Sequence, residues 1–489
     1  MKFVGALGLA LAALAGGACR EPEAPLRIAV HSAPIGYDPH RQNESLTSAI
    51  LANLYDALTE FDEELRIRPA LAGGWTNPDE RTWVFSIRPS VRFHDGRSLD
   101  AEDVVFSLER ARGSSGTGLA SYLVEVERVR ALDARTVEVR TFRPFAPLLS
   151  KLAMVAIVPR GAPGTITVPV GTGSYRLSRS DGARVEMVRA PWSWRGRAGA
   201  DALSFVVEPR PAARRNLLLA GDVDVAADLD ESAVAALGQA GCCRALVHPG
   251  SIVEYLHLSD VFAPFRDRRV REAVDLAVDR SRYVADAHGG LGQPAGQMAV
   301  PGVFGFAPGL RPPLRDLARA RALLAEAGFP RGVDVELEHR PGRRADLVAA
   351  QLAEAGIRAT PREVPWPELY RRLERGEVGF YFGGVVSPTA EATDFLDGYA
   401  HTRDEARGYG SSNHGRYSSL RADALIEDAS ACFDPARRRE LLREAMTVVA
   451  GDLRFVPVAS PYQVLGVRRG VEFRPRFDMK LLGREIARR

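Results

Sequence analysis

Between residues 333 and 382 the hydrophobic pattern changes period four times, and this alternation restricts the fold more than any other feature of the chain. "VDVEL" (333–337) alternates as a strand, after which Leu347, Val348, Leu352 and Ala355 fall at helical spacing and stop at Gly356. "IRATPREV" (357–364) is extended again, "WPELYRRLERG" (366–376) reads as a helix, and "VGFYF" (378–382) reads as a third strand. A β-α-β-α-β series buries its strands in a layered α/β domain. Helices flank it, one from about Arg268 to Val278, one over "DLARARALLAEAG" (316–328), and one capped by Asp434-Pro435 and running through Ala450. "RFVPVAS" (454–460) reads as a strand containing a proline.

The first half is written differently. "LRIAV" (26–30) is a short strand, "SAPIGYDPH" (32–40) a loop rich in turn residues, and Ile50, Leu54 and Leu58 in "SLTSAILANLYDALTEFD" (45–62) predict a one-sided helix. Trp83, Phe85 and Ile87 share one face at period two, as do Val137 and Val139, which predicts half-buried antiparallel strands. "VRFHDGRSLDAEDVVFSLERAR" (91–112) sets His94 beside Asp95 and then gathers acids, a combination that resembles a catalytic or metal cluster. Local physics assigns it otherwise. Asp95-Gly96 is a turn dipeptide, Asp100 stands at an N-cap with Asp103 three residues on, and Ala101, Val104, Val105, Leu108 and Ala111 form an apolar stripe. Glu102 and Asp103 then favour the positive end of a helix dipole.

A chain of 489 residues, with 46% hydrophobic and 26% charged residues, has the composition of a globular protein of two or three domains. No segment after residue 20 is apolar for long enough to span a membrane. The net charge of +3 argues against a nucleic-acid partner. Lysine occurs only at Lys2, Lys151 and Lys480, which reads as a compositional preference for arginine.

"MKFVGALGLALAALAGGAC" opens the chain with one lysine, an apolar run from Phe3 to Leu14, small residues and Cys19, which is an export signal. Cleavage before Cys19 and acylation of its thiol would make a lipoprotein tethered by "EPEAP", although Gly16 stands where such signals carry an aliphatic residue. Ordinary cleavage after "GGA" is the alternative. In the exported chain Cys242 and Cys243 are adjacent, so at most one of them pairs with Cys432, and the spacing fits no zinc site.

Catalytic signatures are missing: there is no Gly-x-Ser-x-Gly elbow, His-Glu-x-x-His or P-loop, and the nine histidines are scattered. "GTGSY" (171–175) and "GYGSSNHG" (408–415) read as loops. No catalytic residue, cofactor or metal is expected. Aromatic residues cluster instead in the second half, where Trp366, Phe380 and Phe382 read mostly as core and Tyr399, Tyr409 and Tyr417 fall in or beside long loops.

Six stretches together resemble the family 5 extracellular solute-binding proteins of ABC importers, the group containing dipeptide-, oligopeptide- and nickel-binding proteins. They are "NLYDALTEFDEELRIRPALAGGW" (53–75), the 91–111 stretch, "VGTGSYRL" (170–177), "FAPFRDRRVREAVDLAVDRSRYV" (262–284), "ARALLAEAGF" (320–329) and "SSNHGRYSSLRADALIEDA" (411–429). The resemblance implies a two-lobed α/β periplasmic-binding-protein fold of type II with an extra inserted subdomain and a hinge between the lobes. Residues 1–19 would be the signal, residues 20–60, 169–259 and 454–489 a split lobe I, residues 61–168 an inserted antiparallel subdomain, and residues 260–453 lobe II. It implies binding without chemistry, a small-molecule or peptide-like ligand, an ABC permease as membrane partner, and a monomer at the extracytoplasmic face.

In such proteins, loops facing the cleft set specificity. That points to Ser32, Pro34 and Tyr37 in "SAPIGYDP", to Phe382, Val385 and Ser387 in "FGGVVSPTAEATDF" (382–395), and to Asn413 and His414. Peptide-binding relatives have an aspartate for the peptide amino terminus roughly where Val385 stands, and an Asp-Pro where this chain has Ser387-Pro388. A buried ammonium needs a paired charge, so free-amino peptides require Glu391 or Asp394 to serve instead. A nickel chelate would have His414. Two further classes share the scaffold: a sensor that engages a membrane receptor by the same closure, and a hydrolase.

Overall fold

The computed structural model describes residues 24–42, 44–114, 119–196, 199–342 and 344–489. Cys19 and the signal segment lie outside the described residues.

The alternating series folds as its periods require. Val333–His339 pairs in parallel with both Ile357–Glu363 and Phe380–Val386, and the intervening helices are Ala345–Glu354 and Trp366–Glu374. Leu337, Val348, Leu352, Ile357, Phe380 and Phe382 meet in one core. The third strand begins at Phe380, two residues later than the pattern suggested, and runs on through Gly383 and Gly384 to Val386. It pairs antiparallel with Ile252–Leu258.

In the N-terminal half, Leu26–Val30 pairs in parallel with Ala202–Val207 and with Val225–Ala226, and Arg184–Arg189 and Tyr175–Ser180 extend the sheet to its edge. The two halves share one strand. Phe455–Arg468 runs 14 residues, well beyond the sequence expectation of 454–460. Its first part pairs with Ile252–Leu258 and its second with Cys243–Pro249 and Val225–Ala226. Two runs of chain therefore pass from one half to the other, one through Gly250-Ser251 between strands Cys243–Pro249 and Ile252–Leu258, the other within strand Phe455–Arg468.

A separate four-stranded antiparallel sheet has the order Ala72–Asp79, Thr82–Ile87, Thr136–Thr141, Val126–Asp133. Trp83, Phe85, Val137 and Val139 form its buried face, covered by Val104 and Leu108 of helix Ala101–Arg112. The acids of the 91–112 stretch cap that helix as the sequence indicated. Asp100 accepts from the Asp103 N–H (3.2 Å), and Asp103 accepts in return from the Asp100 N–H (3.0 Å). Asp103 is fully buried and also holds the Arg97 guanidinium (2.7 Å) and the Arg160 N–H (2.8 Å). His94 is fastened to the loop after Val170. Its Nε2 lies 3.0 Å from the Gly173 carbonyl, and its Nδ1 accepts from the Gly171 N–H at 3.3 Å.

One expected helix is much shorter than its pattern. The periodic stretch from Ser45 folds as helix only over Ser45–Leu51, and Thr59–Phe61 is a strand. Asn53 is the cause. Its side chain donates to the Leu481 carbonyl (2.9 Å) and accepts from the Gly483 N–H (2.8 Å), which turns the chain there. Leu54 and Leu58 are still fully buried, so helical periodicity and burial coincide without a helix. Cys242, Cys243 and Cys432 are free thiols.

Candidate functional site

Where the two halves and the four-stranded unit face one another they enclose a cavity of about 440 Å³. Tyr55, Asp56, Glu60 and Arg195 wall it from the N-terminal half, with Lys480 and Arg484 from the C-terminal segment. Tyr122, Glu125 and Lys151 approach from the four-stranded unit, and Val385, Asp394, Asp397, Tyr399 and Tyr409 from the later α/β section. Two of the chain's three lysines are therefore wall residues.

The wall on the N-terminal side is a closed network of ion pairs. Asp56 accepts from Thr172 Oγ1 (2.9 Å), Trp194 Nε1 (2.9 Å) and the Arg195 guanidinium (2.9 and 3.0 Å), and Arg195 also holds Glu60 (2.8 and 2.9 Å). Burial acts to raise the Asp56 carboxyl, but Arg195 and the Trp194 N–H hold it below the usual carboxylate range. Behind it Arg476 pairs with Asp478 (2.8 Å) and Glu485 (3.2 Å), and Lys480 lies 3.7 Å from Asp478. Arg484 reaches both Glu60 (3.5 Å) and Glu485 (3.3 Å). Four cations, Arg195, Arg476, Lys480 and Arg484, match four carboxylates.

The opposite wall is not balanced. Glu391 is buried and is held by Arg438 (3.2 Å for one contact) and by Ser150 Oγ (2.7 Å). Burial alone would raise it, and the Arg438 guanidinium keeps it low. Asp394 takes Lys151 Nζ (3.3 Å) and the Thr389 N–H (2.8 Å). Among the described residues Asp397 has neither kind of partner. Its Oδ1 is sealed from solvent without a hydrogen bond, and burial, opposed by Lys151 and reinforced by Asp394, pushes its pKa up to about 7. Lys151 is kept protonated: burial works against its charge, and Asp394, Asp397 and Glu391 outweigh it.

An aspartate raised from the ordinary 3.8 binds more protons folded than unfolded, so native stability falls as pH climbs from about 4 to about 7 and stays lower above that. Asp397→Asn should accordingly be more stable than the parent at pH 8, by on the order of 2 kcal/mol, and lose the advantage near pH 4. Thermal melts of both proteins across this range read the difference.

Of the eight cleft residues expected from sequence, Val385 lies on the cavity wall. Phe382 is fully buried in the core and meets Tyr283 edge-on at 5.9 Å. Ser387 is buried between the wall residues Val386 and Pro388. Ser32, Pro34 and Tyr37 are half-buried and off the wall, although the Tyr37 carbonyl accepts from the wall residue Tyr55 Oη (3.0 Å). Asn413 is spent on its own loop, donating to the His401 (2.9 Å) and Tyr417 (2.7 Å) carbonyls and accepting from the Tyr417 N–H (2.8 Å). His414 stands edge-on to Tyr370 at 5.6 Å, and burial lowers its pKa. Among the described residues no three His, Cys, Asp or Glu side chains gather as a metal site. Sequence reasoning passed over Asp397, Glu125, Lys151 and Lys480. The rarity of lysine was the available signal for the last two.

The description "Bacterial extracellular solute-binding proteins, family 5 Middle" matches residues 66–407, more than half of the chain. The chain belongs to this family. Its relatives include di/tripeptide-binding protein 2 of Pseudomonas aeruginosa (strain UCBPP-PA14), 27% identical over 95% of this chain and 94% of that protein. Heme-binding protein A of Haemophilus influenzae is 26% identical over 87% of this chain and 85% of its own length. Among solved structures, the periplasmic binding protein DppA from Helicobacter pylori in complex with peptide STSA superposes with a TM-score of 0.84 at 23% identity, covering 95% of this chain and 98% of that one. The family 5 fold is thus the two-lobed architecture described above, with the cavity between its lobes.

Proposed function

We propose that this chain captures a small, peptide-like solute between its lobes and passes it unchanged to an ABC permease. The observation that carries the reading is the cavity itself, walled from both halves and from the four-stranded unit. Its volume of about 440 Å³ falls in the ~300–1,000 Å³ range of small-molecule sites. A solute touching both lobes binds the closed state better than the open one, and only that difference can drive closure. Lobe I comprises residues 20–60, 169–259 and 454–489, lobe II residues 260–453, and residues 61–168 the inserted subdomain. The two crossings, at Gly250-Ser251 and within strand Phe455–Arg468, support a hinge there. The wall groups support binding over chemistry, because the carboxylates on the N-terminal side are committed to arginines.

The relatives bind solutes as different as di/tripeptides and heme at nearly equal identity, so likeness alone does not choose between them. The protein acts as a monomer at the extracytoplasmic face, without nucleic acid, anchored through acylated Cys19. Mass spectrometry of the membrane-fraction protein should show a diacylated or triacylated Cys19 at the N-terminus, and an unmodified N-terminus would refute the anchor. For the function, protein lacking residues 1–19 is purified natively and unfolded, and the released small molecules are identified. One solute class should be recovered stoichiometrically and remain intact after prolonged incubation with fresh protein. A solute consumed during that incubation would make the protein an enzyme.

A further inference from the structure

Two sulfurs meet where the period of a strand would part them. Neighbouring residues inside a strand point to opposite faces, yet Cys242 Sγ and Cys243 Sγ lie 3.2 Å apart. The turn before the strand is the cause. Helix Ser232–Ala240 ends at Gly241, whose left-handed φ of 68° brings the chain round, so Cys242 stands just outside strand Cys243–Pro249 and Cys243 is its first residue. The Cys242 carbonyl is fixed by the Arg469 N–H (2.9 Å), and Cys243 pairs with Arg468 of strand Phe455–Arg468. The two thiols differ in access. Cys242 is exposed, whereas Cys243 is buried, packed with Leu218, Leu237 and Val464, and gives its S–H to the Leu218 carbonyl (3.6 Å).

Burial pushes the Cys243 thiol up to about 12, its contact with Cys242 adds to this, and the Arg468 guanidinium, held at the Gly221 carbonyl (3.4 Å), acts in the other direction. The Cys242 part ends when its sulfur is bonded to another, since its S–H and its charge are then gone. We propose that Cys242 and Cys243 are a vicinal thiol–disulfide exchange site for small external disulfides, with Cys242 as the attacking thiol and Cys243 as the resolving one. With glutathione disulfide, the Cys242 thiolate displaces one glutathione thiolate and forms a Cys242–glutathione bond. Cys243 then loses its proton to solvent, and its thiolate attacks the Cys242 sulfur and displaces the second glutathione thiolate. Two protein thiols become one disulfide, one glutathione disulfide becomes two glutathione thiols, and the protons from the cysteines end on them. The ring so formed joins Cα atoms ~3.8 Å apart, short of the ~4.4–6.8 Å of ordinary disulfides, so it is strained and reduced glutathione reopens it. The site is independent of what the cleft holds.

Trypsin releases both cysteines in one peptide, residues 216–244, between Arg215 and Arg244, and Cys432 in another, residues 422–437. The chain lacking residues 1–19 is reduced, freed of reductant, exposed to glutathione disulfide with and without urea, quenched with iodoacetamide, digested and weighed by mass spectrometry. In the folded chain peptide 216–244 should be lighter by two hydrogen atoms and carry neither glutathione nor an alkyl group, and reduced glutathione should restore the dithiol. The ratio of ring to glutathione adduct on this peptide should be at least about tenfold higher in the folded chain than in urea, because the fold holds the sulfurs together. Cys243→Ser should keep glutathione on Cys242. Cys242→Ser should leave the buried Cys243 at least about tenfold slower to react than Cys242 is in the other variant. Should Cys243→Ser fail to fold, Cys242→Ser and the ratio in the parent decide the matter. A glutathione held on Cys242 of the folded parent, a ratio unchanged by urea, a bond from either cysteine to Cys432, or no reaction at all would overturn the assignment.

Discussion

Gly171→Ala should lower the stability of the protein by about 3 kcal/mol or more, enough to lose most folded material at moderate urea concentrations. A Cβ at this position would lie 2.0 Å from the Leu54 carbonyl oxygen and 2.7 Å from the Tyr55 ring. The first obstacle is backbone and cannot rotate away. Gly171 is also bonded on both sides, its carbonyl accepting from the His94 N–H (2.9 Å) and its N–H reaching His94 Nδ1 (3.3 Å). The next residue, Thr172, supports Asp56 on the cavity wall, so relief of the clash by loop movement would disturb the wall. Gly164→Ala, with nothing within 4 Å of its added carbon, is the control and should change stability by no more than about 0.5 kcal/mol. Urea unfolding followed by fluorescence measures both.

Glu391→Ala should be destabilising by about 3–5 kcal/mol, since it strands the Arg438 guanidinium in a buried site. Arg438 is 7% exposed and one of its nitrogens already has no partner. Ser150 Oγ loses its acceptor at the same time, which loosens the four-stranded unit from the later α/β section. A charge-removing pair, Glu391→Leu with Arg438→Met, should recover most of the loss, because apolar residues of similar volume can replace a buried ion pair at little cost. If the double variant were as unstable as Glu391→Ala, the hydrogen bonds from Ser150, and not the stranded charge, would account for the effect.

The alternating series at 333–382 was legible because hydrophobic period and chain direction agree there, and the helix cap at Asp100 and Asp103 was legible because its hydrogen bonds are local. The helix expected past Leu51 failed for a nonlocal reason. Asn53 is bound by Leu481 and Gly483, more than four hundred residues away in sequence, and no window around it carries that information. The cleft was harder still. Asp397 differs from Asp394 in lacking both Lys151 and the Thr389 N–H as partners, and the first of these depends on where a helix of another unit happens to end. Trp366 is 39% exposed and lies 4.8 Å from the Arg340 guanidinium, so its aromatic character did not place it in the core, whereas Phe380 and Phe382 are interior. The scarcity of lysine was readable, and its meaning depended on seeing Lys151 and Lys480 on one cavity.

Capture of a solute by this fold requires closure of two lobes over it. Small-angle X-ray scattering of the stripped chain lacking residues 1–19, recorded before and after saturation with the solute recovered from the native protein, measures that closure. The radius of gyration should fall on saturation and return on stripping. An unchanged scattering curve at full occupancy, confirmed by mass spectrometry of the same sample, would contradict capture by closure.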